Sequence, residues 1–149
     1  TTLFRSYRFP QVTRPFDLPV IGGEVPTEHP LESVSRLIHF TEEIQKAAGE
    51  VPVIGNGYSW LREYIPYVGA ANLQKGRCTM VGLGRQGFAY PDAPRDILIN
   101  GGMKPEKCCI TCSKCTQIMR DHGKTGCVIR DSEVYALLYQ EARGCRKSQ

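Results

Sequence analysis

The sequence predicts an α/β fold, because helical and strand patterns alternate along most of its length. Apolar residues with helical spacing run over about 31–48, a β-branched stretch follows at 51–55, and a second apolar stretch covers 78–83. Helical patterns also occupy about 60–75 and 92–100, and short loops join all these segments. This order is typical of parallel strands connected by helical crossovers.

The first 30 residues have no regular pattern, and they predict a long loop with one short strand near its start. Five prolines interrupt this stretch: Pro10, Pro15, Pro19, Pro26 and Pro30. Pro30 suits the first turn of the helix that follows, and Gly49 ends that helix. In the helix at 60–75, Pro66 must kink the helix or restart it.

A glycine turn follows each predicted strand. Asn56-Gly57 comes after the first strand, and Gly84-Arg85 comes after the second. Glycine lets backbone amides approach a phosphate, and ligands of parallel α/β proteins bind at the carboxyl ends of strands. Arg85 could pair with the same phosphate through its planar guanidinium. The turns therefore indicate a phosphate site, although tight turns also use glycine for geometry alone.

Two strands are too few for a closed barrel or an ordinary open sheet. Either further strands lie outside this chain, or partners supply them. The alternative is a small complete α/β domain, for which 149 residues is an ordinary length.

A run of cysteines is the most specific feature of the chain. It reads C-I-T-C-S-K-C, then eleven residues, then C, and its members are Cys109, Cys112, Cys115 and Cys127. Soft thiolate ligands at such spacing suit an iron–sulfur cluster or zinc. Zinc ligands usually come as two close pairs, whereas three close cysteines and a distant fourth are more typical of a cluster. Ordinary buried cysteines are the alternative, and disulfides are disfavoured because nothing marks secretion.

The composition excludes other classes of protein. The chain is 41% hydrophobic and 23% charged, with a net charge of +4, which is ordinary for a globular protein. No apolar run reaches the roughly 18 residues of a membrane helix. Basic residues are spread along the chain, so no nucleic-acid-binding face is predicted. Seven cysteines without a signal peptide favour the reducing cytoplasm, and the opening TTLFRSYRFP, without Met, predicts a partial chain.

Three segments together resemble one family. They are V-P-V-I-G-N-G-Y, M-V-G-L-G-R-Q-G-F-A-Y-P-D and the cysteine run, and they resemble the NADH:flavin oxidoreductase (old yellow enzyme) family, in particular its 2,4-dienoyl-CoA reductase-like members. The resemblance implies that residues 1–107 are the C-terminal portion of an FMN-binding (β/α)8 TIM barrel. Val51–Gly55 and Thr79–Leu83 would be its last two strands. Residues 108–149 would be a cysteine-rich iron–sulfur segment followed by a C-terminal helix.

The resemblance also implies cofactors and an activity. The FMN phosphate would bind at Asn56, Gly57, Gly84 and Arg85. A 4Fe–4S cluster, passing single electrons to the flavin, would be ligated by Cys109, Cys112, Cys115 and Cys127. NAD(P)H would be the reductant and a small enone or enoyl-type molecule the substrate, with no nucleic-acid or membrane partner.

Two further expectations follow from the length of the chain. Because the rest of the barrel is missing, no catalytic residue can be assigned, and the fragment alone is expected to be poorly soluble or unstable and to turn over no substrate. The alternative function is a zinc-binding structural or interaction module that holds one ion with the same four cysteines.

Overall fold

The computed structural model describes residues 28–145, so most of the loop and the short strand predicted within the first 30 residues lie outside it. Helices dominate this part of the chain. In chain order the elements are α1 (Pro30–Ala48), β1 (Ile54–Gly55), a 3-10 helix (Tyr58–Tyr64), α2 (Ile65–Gln74), β2 (Met80–Val81), α3 (Gly84–Ala89), α4 (Ala93–Asn100), a 3-10 turn (Pro105–Lys107), α5 (Lys114–Arg120) and α6 (Ser132–Cys145). None of the helices within 28–145 combines the length and the apolar character that a bilayer crossing requires.

The two strands pair in parallel, with Ile54 opposite Met80 and Gly55 opposite Val81. The strands predicted at 51–55 and 78–83 therefore exist, but only two residues of each are paired. Residues 28–145 thus form a mostly helical domain with a two-stranded parallel sheet, and they do not form a barrel.

Helix α1 confirms the predicted helix at 31–48. The Nδ1 atom of His29 accepts a hydrogen bond from the backbone N–H of Leu31 at 3.2 Å, which caps the first turn. Pro30 lies in that turn, where its missing N–H costs nothing. Gly49 ends the helix with a φ of 60°, a conformation that glycine adopts without strain.

The helix predicted at 60–75 is divided in two. Arg62 has a φ of 52°, which interrupts the helical backbone, and α2 begins three residues later with Pro66 in its first turn. Pro66 thus restarts the helix, as its ring geometry predicts. Helix α2 then packs on the sheet through Gly69, where a Cβ atom would lie 3.2 Å from Val81.

Within residues 28–145, α2 covers one face of the sheet and the other face leaves an apolar pair exposed. Because successive residues of a strand point to opposite faces, Val81 faces α2 and the register partners Ile54 and Met80 point away from it. These two side chains are 52% and 47% exposed. An apolar pair left open in this way marks a surface where further structure can pack.

The hydrophobic core lies between the helices and the covered face of the sheet. Helix α4 confirms the helix predicted at 92–100 and contributes its fully buried Ala93 to this core. The buried core residues are Val34, Tyr58, Leu61, Ile65, Tyr90, Ala93, Met103 and Cys108.

Candidate functional site

The two predicted glycine turns lie side by side at one edge of the sheet. Beyond the paired residues, the N–H of Gly82 donates to the carbonyl of Gly55 at 2.8 Å, so the strands remain adjacent where they end. The side chain of Asn56 lies directly against Gly82, where a Cβ atom would displace it. Gly57 has a φ of 95°, and Gly84 is exposed with open space around it. The parallel pairing therefore brings Asn56, Gly57 and Gly84 to the same edge.

Arg85 points from this edge to the cysteine segment, which we define as residues 108–127. Its Nη1 atom donates to the Oγ atom of Ser113 at 3.0 Å. Arg85 lies in α3, a helix that the sequence pattern did not predict, because two glycines among six residues lower the helical propensity. The guanidinium assigned to a phosphate by resemblance thus contacts the segment that carries the thiols.

All four predicted cysteines line one small cavity, which we call the thiol cavity. Its free volume is about 10 Å³, roughly the space of one water molecule. Its lining consists of Arg85, Phe88, Cys109, Ile110, Cys112, Ser113, Cys115, Cys127, Val128, Ile129 and Arg130. Nevertheless, no group of three or more Cys, His, Asp or Glu side chains between residues 28 and 145 is arranged to hold a metal ion. Binding a metal centre would therefore require the thiols to turn toward one point.

The backbone around Cys112 is strained. Thr111 and Ser113, on either side of it, have φ values of 57° and 58°, in the left-handed region that non-glycine residues rarely adopt. For a β-branched residue such as Thr111 this is a true outlier. Such strain clusters at sites where function fixes the backbone, and it needs the surrounding contacts to hold it. Thr111 and Ser113 are both buried, which supplies those contacts.

Backbone amides approach two of the sulfur atoms. The N–H of Thr111 donates to the Sγ atom of Cys109, and the N–H of Arg130 donates to that of Cys127, both at 3.3 Å. Hydrogen bonds of this kind stabilise a thiolate and tune the metal that it binds. They lie at the first and the last cysteine of the run.

Two more side chains hold the cysteine segment in place. The Oε1 atom of Gln86, a fully buried residue of α3, accepts a hydrogen bond from the N–H of Cys109 at 3.0 Å. Arg130 donates through Nη2 and Nε to the carbonyl of Cys108, at 2.9 and 3.3 Å. Sequence reasoning assigned no role to Gln86, Ser113 or Arg130. Gln86 and Ser113 lie inside the quoted motifs, but all three act through contacts distant in the chain, which spacing does not reveal. The Cys108 thiol donates to the carbonyl of Lys104 at 3.4 Å and does not line the cavity.

The thiols of Cys109 and Cys115 are buried, and burial raises the pKa of both above the ordinary value. The nearby Arg85 guanidinium opposes this rise in pKa by favouring the charged form. A metal ion would have to displace these protons, because only the thiolate is a good ligand.

The chemistry of this donor set fits an iron–sulfur cluster or zinc. Four thiols face one cavity, amides donate to two of them, and two arginines stand beside them. Comparison of the chain with models of known families, with curated proteins and with solved structures finds no match. The family resemblance therefore rests on the motifs alone.

Proposed function

We propose that this chain belongs to an FMN-dependent NAD(P)H oxidoreductase of the ene-reductase type, in which it contributes the FMN phosphate turns and a 4Fe–4S site. One observation carries the proposal. The parallel sheet brings both glycine turns to one edge, and the second turn leads directly into Arg85, which contacts Ser113 in the cysteine segment. A flavin site and a thiol site would thus be neighbours, as electron transfer between them requires.

The exposed face of the sheet supports a more specific proposal for the fold, namely that this chain is the end of a (β/α)8 barrel. In such a barrel, alternate strand residues point inward and pack in layers. Ile54 and Met80 are register partners and both are about half exposed on the face away from α2. Strands of the missing barrel would cover this pair.

The edge formed by Asn56, Gly57 and Gly84 supports the proposed phosphate site. Glycine lets backbone amides approach a phosphate closely, and Gly57 and Gly84 both lie at this edge. Asn56 and Gly84 are exposed, so an anion can reach the backbone from solvent. Cys109, Cys112, Cys115 and Cys127 would hold the cluster, which supplies single-electron transfer while the flavin supplies hydride chemistry. We infer a small enone or enoyl-type substrate from the resemblance, and a cytoplasmic location from seven cysteines without a signal peptide.

The test is the cofactor content of the intact protein, purified without oxygen. We expect bound FMN together with iron and sulfide. Cys112→Ser should lose iron and sulfide, whereas Cys78→Ala, a buried cysteine outside the thiol cavity, should keep both. A colourless protein that releases no FMN on denaturation would contradict the proposal.

The small free volume of the thiol cavity favours a second candidate, a zinc-binding structural or interaction module. A single ion needs far less rearrangement of a cavity of about 10 Å³ than a four-iron cluster does. Metal analysis separates the two functions, because one zinc with neither iron nor sulfide is the result that the zinc module predicts.

A further inference from the structure

We propose that Arg85 and Arg130 are positioning residues of the thiol cavity, which hold its two ends together and stabilise the negative charge of a four-thiolate metal centre. This inference rests on the proposed metal site but not on the identity of the metal. It assigns the Arg85 guanidinium to the thiols, whereas the sequence motif assigned it to a flavin phosphate.

Arg85 holds the part of the cysteine run around Cys112. Its guanidinium donates to the Ser113 hydroxyl at 3.0 Å, and that hydroxyl donates to the carbonyl of Thr111 at 3.4 Å. The contact therefore ties α3 to both left-handed residues that flank Cys112. Without this anchor, the strained backbone could relax and move the Cys112 thiol away from the cavity.

Arg130 holds the other end of the run, at Cys127. Its side chain donates twice to the carbonyl of Cys108, next to the first cysteine of the run, and its own N–H donates to the Sγ atom of Cys127. Arg130 thus connects the fourth cysteine to the segment that carries the first. This connection is needed because eleven residues separate Cys115 from Cys127.

The charges around the cavity have one sign. Among the described residues that line it, Arg85 and Arg130 are cationic and none is a carboxylate. A centre of four thiolates keeps a net negative charge with zinc or with a cluster, so nearby guanidinium groups stabilise it. For a cluster, they also raise its reduction potential, because net charge is one of the factors that set it.

The test is a titration of the metal-free intact protein with Co²⁺, in which the thiolate-to-cobalt absorption band reports binding through sulfur. We expect Arg85→Gln and Arg130→Gln to bind Co²⁺ about 10–100-fold more weakly, the range typical of residues that orient metal ligands. Arg95→Gln, at an exposed position in α4 outside the cavity lining, is the matched control and should bind normally. Arg85→Lys should recover part of the affinity because it keeps the charge.

The outcomes separate this inference from the proposed function. If wild-type protein shows the sulfur band and both glutamine variants bind equally well, the inference is wrong and the metal site stands. If wild-type protein shows no such band, both are wrong. Should Arg85→Gln not fold by circular dichroism, Ser113→Ala removes only the contacted hydroxyl, and normal affinity in that variant overturns the role of Arg85. After cluster reconstitution, a more negative midpoint potential in Arg130→Gln is the result that a purely structural role would not produce.

Discussion

The hydroxyl of Tyr58 offers a quantitative test of how the end of β1 is held. Tyr58 is 2% exposed, and its Oη atom accepts a hydrogen bond at 3.3 Å from the Nδ2 atom of Asn72, which is also 2% exposed. Tyr58→Phe would leave this buried amide without its partner. An unpaired buried donor costs about 1–3 kcal/mol, so we expect the free energy of unfolding to fall by that amount.

A second substitution, at Gly55, tests the space that the same hydroxyl fills. The Oη atom of Tyr58 occupies the space where a Cβ atom at Gly55 would lie, and Cys78 Sγ would be 3.2 Å from that atom. Gly55→Ala should therefore cost about 1–3 kcal/mol by overpacking. Removing the hydroxyl relieves most of this clash, so the double variant should lose less stability than the two single losses added together.

The assay is urea unfolding of the intact protein, followed at equilibrium for both single variants and the double variant. Tyr64→Phe is the control, because Tyr64 is 62% exposed and its hydroxyl needs no buried partner. We expect a coupling energy of about 1 kcal/mol between the two sites, as is usual for residues in contact. Strictly additive losses, or a Tyr58→Phe variant as stable as Tyr64→Phe, would refute this account of the strand end.

Three further predictions follow from particular contacts. The hydrogen bond from Tyr90 lowers the pKa of Asp96, so it stabilises the folded protein above the pKa that this carboxyl has in the unfolded chain. This stabilisation is lost as pH falls through the lower pKa of the folded state. Below about pH 4, the melting temperature should therefore fall more steeply with pH in wild type than in Tyr90→Phe. Thr111→Gly should leave the melting temperature unchanged or higher, because it relieves a φ of 57°, whereas the neighbouring Ile110→Gly should lower it. Ile54→Asp should destabilise the intact protein by about 2 kcal/mol or more if missing strands cover this face, and an unchanged melting temperature would show that they do not.

The elements with strong periodicity could be predicted from the sequence. Helix α1 lies where apolar spacing and the glycine stop placed it, α4 lies where a helix was expected after Pro91, and both strands lie inside the predicted stretches. The break at Arg62 and the short helix α3 were missed, since neither has a local signal. Tertiary contacts of their neighbours determine them instead.

The sequence identified the cysteines of the candidate site but not the contacts that surround them. The two short gaps keep Cys109, Cys112 and Cys115 close together, whereas Cys127 reaches the same cavity through the fold of the chain and the contacts of Arg130. The direction of Arg85 was not predictable, since the same guanidinium can reach a phosphate or Ser113. Gln86 and Arg130 have partners more than 20 residues away in the chain, and only the folded chain reveals these contacts.

The six-residue helix α3 makes the site sensitive to changes in chain length. Its adjacent side chains Arg85 and Gln86 serve different partners, one the hydroxyl of Ser113 and the other the amide of Cys109. Each residue of a helix is rotated by about 100° from the last. A residue inserted between Arg85 and Gln86 would rotate one side chain by about 100° relative to the other, so the two contacts could no longer form together.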